Sequence, residues 1–491
     1  MTGLTREERH EGRARHQWVG LFFGPLLAIV MLLAGAPEGL GIAAWRTAAI
    51  GVLMAVWWAT EAVPIAATAL LPLVVFPILD IASIHDAARP YSNKVIYLFL
   101  GGVIVAVAML RWNLQRRIAL NVLQVVGGKG RSLIGGFMIA SAVLSMWVTN
   151  TSTTMMLLPI AVSIIGVIHG SAATLSEKER QDFQWALLLG IAYSASIGGM
   201  MTLVGTAPNA LLAAFMQDTY GHEIDFARWM LVGIPLALVM LPLSWLVLTR
   251  LVFRVDFVTS GEARSELTRM VKEMGRITVP EIRVAVIFTC MALLWMTRPL
   301  LTHVPGLGAL DDSSIAMAGA IALFIVPSGS REDPLLLRWN YAERLPWGVL
   351  ILFGGGLSLA GAVSNTGLAE WLGTSLQAIG DLPLWVIVAA AAAMIIFLTE
   401  LTSNTATTAT VLPVVGAIAI EAGVDPIMLT VPVTLAASCA FMLPVATPPN
   451  AIVFGSGMLT IPTMARAGLA LNLIGITLVS VAAMTLAPRF L

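Results

Sequence analysis

Long, predominantly apolar runs recur along the chain, at 18–35, 42–60, 94–110, 229–251, 284–301, 384–399 and 466–487. Each is near the length that a helix needs to cross a hydrocarbon core of roughly 30 Å. Inside lipid every backbone N–H and C=O must be paired within the protein, which leaves a helical bundle or a closed barrel. Barrel strands alternate apolar and polar residues; these runs do not, and the spans are read as helices. With 58% hydrophobic and 11% charged residues, against roughly a quarter charged in soluble domains, the fold class is an all-α polytopic membrane protein. A net charge of zero offers no electrostatic basis for nucleic-acid binding. Cys290 and Cys439 both lie in apolar runs and suggest neither a disulfide framework nor a metal site. The first run shows no small-residue cleavage pattern and reads as a retained helix.

Lysine and arginine mark the cytoplasmic side. An N-tail inside (Arg6, Arg9, Arg13, Arg15) places Arg111, Arg116, Arg117, Lys129 and Arg131 inside as well. The loop 252–282, with Arg254, Arg264, Arg269, Lys272 and Arg276, and the loop with Arg331, Arg338 and Arg344 follow suit. Acidic "QDTYGHEID" and "EAGVD" face outward, and an odd number of spans leaves the C-terminus outside. The count works only if two long polar-centred segments, 132–169 and 382–421, each enter and leave on one side.

Those segments repeat one another. "SMWVTNTSTTMMLLPIA" at 145–161 matches "TELTSNTATTATVLPVV" at 399–415: Ser145 pairs with Thr399, Thr149-Asn150-Thr151 with Ser403-Asn404-Thr405, and Pro159 with Pro413. Upstream, "YLFLGG" at 97–102 matches "LILFGG" at 350–355, and downstream "GTAPNALL" at 205–212 matches "ATPPNAIV" at 446–453. Three landmarks in one order imply two homologous halves, roughly 42–252 and 284–491. The first polar segment starts inside and the second outside, so the halves are inverted, a design of secondary transporters with binding at the midplane.

An unwound backbone within lipid is tolerable only where protein or water surrounds it. Two helices meeting at Thr-Asn-Thr or Ser-Asn-Thr are therefore expected to be buried at a site. Such a tip presents N-terminal amides, hydroxyls and an Asn side chain to an anion, while carbonyls and hydroxyl oxygens can hold Na⁺. Ser145 and Thr149, like Thr399 and Ser403, stand at i and i+4 and are read as pairs on one helix face, a neutral oxygen set for a hard cation. In "TAPN" and "TPPN" proline breaks the helix, freeing carbonyls at Gly205 and Ala446, with Asn209 and Asn450 placed to cap or brace the next half-helix. None of the four motifs contains Lys or Arg, so the countercharge for an anion must come from helix ends and bound cations.

Other features read more plainly. "FLGG" and "FGGG" suit close helix packing, Glu61 suits a span end, and Glu400 beside the second tip either tunes it or makes a structural hydrogen bond. The sequon Asn150-Thr151-Ser152 would be inaccessible on a buried hairpin. His222 and His303 stand alone, and 171–183 and 252–282 are read as solvated cytoplasmic surface.

"ASCAFMLPVATPPNAIV" at 437–453, with Ser438, Phe441, Pro444 and Asn450, resembles the signature of the divalent anion/sodium symporter family. The two Ser-Asn-Thr-type motifs are also hallmarks of that family, and the resemblance covers essentially the whole chain. It is similar to the INDY-type bacterial dicarboxylate transporters. The resemblance implies an inverted-repeat homodimer with about 11 transmembrane helices and two re-entrant helical hairpins per subunit, its scaffold holding still while a transport domain moves as an elevator. Mapped here, it implies a cytoplasmic tail at 1–17 and scaffold helices at 18–130. The transport domain's first half falls at 131–252, a cytoplasmic loop at 253–281, further scaffold at 282–381 and the transport domain's second half at 382–491. It further implies one Na⁺ site at Ser145, Thr149, Asn150 and the Gly205 carbonyl, and another at Thr399, Ser403, Asn404 and the Ala446 carbonyl. Substrate carboxylates would meet Asn150, Thr151, Asn404 and Thr405, with Thr206, Thr447 and Pro448 nearby. Thr149 stands where the family has Ser, keeping the hydroxyl and adding a methyl that can narrow the pocket.

The implied function is import of a C4-dicarboxylate dianion (succinate, malate or fumarate) coupled to Na⁺ across a bacterial inner membrane. Sodium-independent dicarboxylate exchange and sodium/sulfate symport are the near alternatives. A channel fits inverted hairpins less well than alternating access does. An enzyme would want paired acids, a metal cluster or a nucleophile with a base, which the tips do not offer.

Overall fold

Helices make up the regular structure of the computed structural model, which describes residues 13–125, 129–171, 175–258, 261–331, 333–343, 345–375 and 382–491. Most of the expected tail, including Arg6 and Arg9, and also Arg344, lie outside the described residues. Among the described residues the only β pairing is two isolated bridges. Eight helices there are long and apolar enough to cross a membrane, from Arg15–Ala34 to Ile461–Phe490, and five shorter apolar helices accompany them. The expected polytopic all-α class is what the chain folds into.

Burial separates these helices. In the first, Arg15–Ala34, 17% of the apolar window is buried, against 67% for both Ile84–Arg111 and Trp347–Asn365, so the last two are central and the first peripheral. The central pair carries the glycine clusters, and there the expectation of close packing holds. A Cβ on Gly101 would lie 2.6 Å from the Ala316 backbone, and one on Gly356 2.9 Å from Ala409. Small residues let helices approach this closely where lipid supplies no hydrophobic drive.

Each half contains a helical hairpin followed by an interrupted helix. The first hairpin is Gly130–Ser145 and Asn150–Ser171, and its interrupted helix is Glu177–Gly199 and Ala207–Tyr220. The second hairpin is Leu384–Thr399 and Asn404–Glu421, followed by Ile427–Ala437 and Pro448–Gly455. The halves interlock: Pro448–Gly455 packs on Asn150–Ser171, and Ala207–Tyr220 packs on Asn404–Glu421. Pro159 and Pro413 lie inside the hairpins' second arms and end neither. Each removes one hydrogen bond, and neighbouring helices tolerate that within a bundle.

Two stretches expected to be solvated surface are partly built in. Within 171–183, Phe183 is buried against Phe257, and buried Asp182 accepts from the Arg254 backbone N–H. The loop 253–281 contains the amphipathic helix Gly261–Met274, whose Ala263, Leu267 and Met270 are buried. Ser163 of the first hairpin donates to Glu266 at 2.8 Å. Hydrogen bonds from Arg269 and Ser163 hold the Glu266 carboxyl below its usual range. Alternating apolar positions at helical spacing carried this signal, and the high charge of the segment masked it. Glu61 follows the helix Ile42–Thr60 in a left-handed conformation, φ 48°, which places it at a span end as expected.

Candidate functional site

The two tips are built alike. Helix stops at Ser145 and resumes at Asn150; it stops at Thr399 and resumes at Asn404. Thr149 and Ser403 therefore lie in the turns, off the helix face that their i, i+4 spacing suggested. They act as N-caps, a position that favours Ser and Thr: Thr149 Oγ1 accepts from Ser152 N at 3.3 Å and Ser403 Oγ from Ala406 N at 3.5 Å.

The interrupted helices unwind over 200–206 and 438–447, and one asparagine braces each break. Asn209 Nδ2 donates to the carbonyls of Gly199 at 3.1 Å and Thr202 at 2.8 Å. Asn450 Nδ2 donates to Ala440 at 3.3 Å and Leu443 at 3.0 Å. The donor stands ten and seven residues after its acceptors in both halves, so the repeat read in the sequence extends to individual hydrogen bonds. Both amides tie the end of one half-helix to the start of the next, which makes them braces.

In the first half, the tip and the break meet. Ser145 Oγ donates to Asn150 Oδ1 at 2.5 Å. A Cβ on Gly199 would lie 2.6 Å from that same Oδ1 and 3.2 Å from the Gly205 carbonyl. Ser145, Asn150 and the Gly205 carbonyl thus share one cradle that only glycine at position 199 leaves open. Thr202, buried, bridges the two pieces: its hydroxyl donates to the Met146 carbonyl at 2.5 Å and accepts from Gly205 N at 3.0 Å.

In the second half, Thr399 is fully buried and donates back to the Ile395 and Ile396 carbonyls, leaving its oxygen lone pairs free. Asn404 Oδ1 is buried with no hydrogen-bond partner, as are Ser438 Oγ and the Oδ1 atoms of Asn209 and Asn450. Buried oxygens without partners are costly and call for an explanation; a hard cation, which takes neutral oxygen ligands, supplies one. Ala446 is buried, and buried Thr447 caps the following half-helix, its Oγ1 accepting from Asn450 N at 3.3 Å. The Glu400 carboxylate accepts from the backbone N–H groups of Phe441 (2.8 Å), Met442 (2.9 Å) and Leu443 (2.9 Å), and from Asn472 Nδ2 at 2.8 Å. The structural hydrogen bonding read for Glu400 is thus present.

Thr151, Thr206 and Thr405 are half-buried and Pro448 is exposed at these ends. Among the described residues the three hydroxyls take no part in the networks above, which leaves them available to a ligand. A cavity of about 460 Å³, lined by Phe215, Tyr220, Pro413 and Glu421 among others, includes none of the tip residues.

Sequence reasoning missed Gly199, Thr202 and Asn472, and left Glu400 without an assigned partner. A small residue at both 199 and 440 was a usable signal for the cradle. Asn472, a single amide inside the apolar run 466–487, was another.

Comparison with known proteins covers nearly the whole chain. The sodium:sulfate symporter transmembrane region, as a family model, matches residues 15–488. A sodium-dependent dicarboxylate transporter of Staphylococcus saprophyticus is 40% identical over 481 residues, 97% of this chain and 92% of the relative. A Staphylococcus aureus protein described in the same words is 40% identical over 477 residues, 96% of this chain and 92% of that one. Among solved structures, the YdaH transporter of Alcanivorax borkumensis, described as having an unusual topology, aligns with a TM-score of 0.51 at 14% identity. The alignment covers 96% of this chain and 98% of that one, a likeness of fold alone. A helical polytopic fold, paired uncharged tips and a match over nearly the whole length have one reading: this multi-pass membrane protein belongs to the sodium:sulfate symporter family of transporters.

Proposed function

We propose that the protein imports a C4-dicarboxylate dianion (succinate, malate or fumarate) together with Na⁺. The observation that carries this reading is the pair of uncharged tips, each set beside an unwound turn braced by an asparagine at the same spacing. Full-length relatives named as sodium-dependent dicarboxylate transporters support dicarboxylate over sulfate. One Na⁺ is held by Ser145, Asn150 and the Gly205 carbonyl, with Thr149 capping the tip behind them. The other is held by Thr399, Asn404 and the Ala446 carbonyl, with Ser403 in the matching place. Between the tips the substrate carboxylates take Asn150, Thr151, Asn404 and Thr405, flanked by Thr206, Thr447 and Pro448.

Cations bind first on this reading. A dianion in a desolvated site without an ion partner costs several kcal/mol, and no Lys or Arg in the motifs offsets it. Loaded, the transport domain (131–252 with 382–491) slides past the scaffold (18–130 with 282–381). The 253–281 segment and the N-terminus lie in the cytoplasm, the C-terminus outside, and two subunits pair in a bacterial plasma membrane.

The test is uptake of radiolabelled succinate into proteoliposomes under an inward Na⁺ gradient, with choline or K⁺ replacing Na⁺ in parallel. Accumulation only with the Na⁺ gradient is the expected result. Uptake indifferent to Na⁺ yet dependent on internal dicarboxylate would make the protein an exchanger, and uptake of sulfate in place of succinate would overturn the substrate assignment.

A further inference from the structure

The two halves hold their unwound turns by different chemistry. In the first half the link is neutral, the Thr202 hydroxyl spanning Met146 O and Gly205 N. At the position matching Met146 the second half has Glu400, 3% exposed, whose carboxylate gathers three successive backbone N–H groups of the turn and the Asn472 amide. Successive N–H groups of this kind form an anion nest. These hydrogen bonds fix the geometry of the carboxyl group, and among the described residues it forms no ion pair with Lys, Arg or His. Buried charges are normally paired or beside a metal ion. Glu400 directly follows Thr399 in the four-residue turn that ends at Asn404, and Asn404 Oδ1 accepts from no protein donor. In the first half the matching oxygen, Asn150 Oδ1, is already taken by Ser145.

We infer that Glu400 is a positioning residue that presets the second cation site, so that this site takes the first Na⁺, and the first site, closed on itself by Ser145, takes a later one. The inference rests on the sodium-coupled reading above and deepens it. The carboxylate contributes twice: it holds the 441–443 turn from which the Ala446 carbonyl follows, and its charge lowers the energy of a cation beside Asn404. The first site has neither contribution, and an ion entering it must first displace the Ser145 hydroxyl from Asn150.

The experiment uses the full chain, with NaCl exchanged for choline chloride at constant ionic strength. Succinate uptake is measured in proteoliposomes, and the Na⁺-induced rise in melting temperature is measured in detergent without succinate. For Glu400→Gln the half-saturating Na⁺ is expected to rise at least tenfold in both readouts, with uptake regained as Na⁺ is raised. Glu400→Asp, which keeps the charge and shortens the reach, should shift less. Ser145→Ala should keep the melting response at low Na⁺ while raising the Na⁺ needed for uptake. A merely structural Glu400 would lower melting temperature and maximal rate with half-saturating Na⁺ unmoved, or would make Asp as damaging as Gln; either result overturns the inference. If Glu400→Gln does not fold, Asn472→Leu removes one partner of the carboxylate, and its half-saturating Na⁺ must rise for the inference to stand. A wild-type protein indifferent to Na⁺ in both readouts would overturn the sodium reading itself, whereas a responsive wild type with an unmoved variant overturns the role of Glu400 alone.

Discussion

Replacing Asn404 by alanine is expected to reduce Na⁺-driven succinate uptake by about a hundredfold or more, without lowering the melting temperature of the Na⁺-free protein. The two halves of that expectation have separate causes. Asn404 is assigned both to a Na⁺ and to a substrate carboxylate. Two interactions with charged groups, each of roughly 1.5–3 kcal/mol, amount to about two decades or more at 1.4 kcal/mol per decade. Its Oδ1 accepts from no protein donor, so truncation forfeits no hydrogen bond within the protein. Asn150→Ala should abolish uptake equally but also cost stability, since Ser145 loses its acceptor, a term of about 0.5–1.5 kcal/mol. Uptake assays paired with thermal unfolding of both variants test this. Normal uptake by either variant would reject the assigned sites, and equal destabilisation would reject the difference between the tips.

Gly199→Ala is the second large effect, and its sign separates site from scaffold. Gly199 ends a helix, where alanine is normally the better residue by about 0.5–1 kcal/mol. Local propensity alone therefore expects a neutral or stabilised transporter. The cradle expects the opposite for function, because the new methyl carbon would lie 2.6 Å from Asn150 Oδ1 and 3.2 Å from the Gly205 carbonyl, in the space a cation would need. The expected outcome is loss of Na⁺-coupled uptake that higher Na⁺ does not restore, in a protein that still assembles in the membrane. Wild-type Na⁺ dependence in Gly199→Ala would remove the first cation site from the account.

Much of this was legible in the sequence for physical reasons. Lipid forbids unpaired backbone, so long apolar runs gave the helices, and the interruptions at 145–150 and 399–404 had to be buried features. Duplication made the tips recognisable, since Asn150 and Asn404, or Asn209 and Asn450, each vouch for the other. Contacts between segments distant in the chain were less accessible. Nothing in "TELTSN" says that Glu400 reaches Phe441 to Leu443, and nothing in "SIGGMM" says that Gly199 faces Asn150, because both depend on where two helices cross. The hydroxyl pairs were misplaced for a local reason: i, i+4 spacing implies one face only while the helix continues, and Thr149 and Ser403 are N-caps that mark where it begins anew.

The most direct test of the central claim is a structure of the full chain determined by electron cryomicroscopy in NaCl with succinate, beside one in choline chloride without it. The account expects succinate between the Asn150-Thr151 and Asn404-Thr405 tips. It also expects a cation touching Asn150 and the Gly205 carbonyl, and another touching Asn404 and the Ala446 carbonyl. Succinate bound away from both tips, or bound between them with no cation at either cradle, would contradict it.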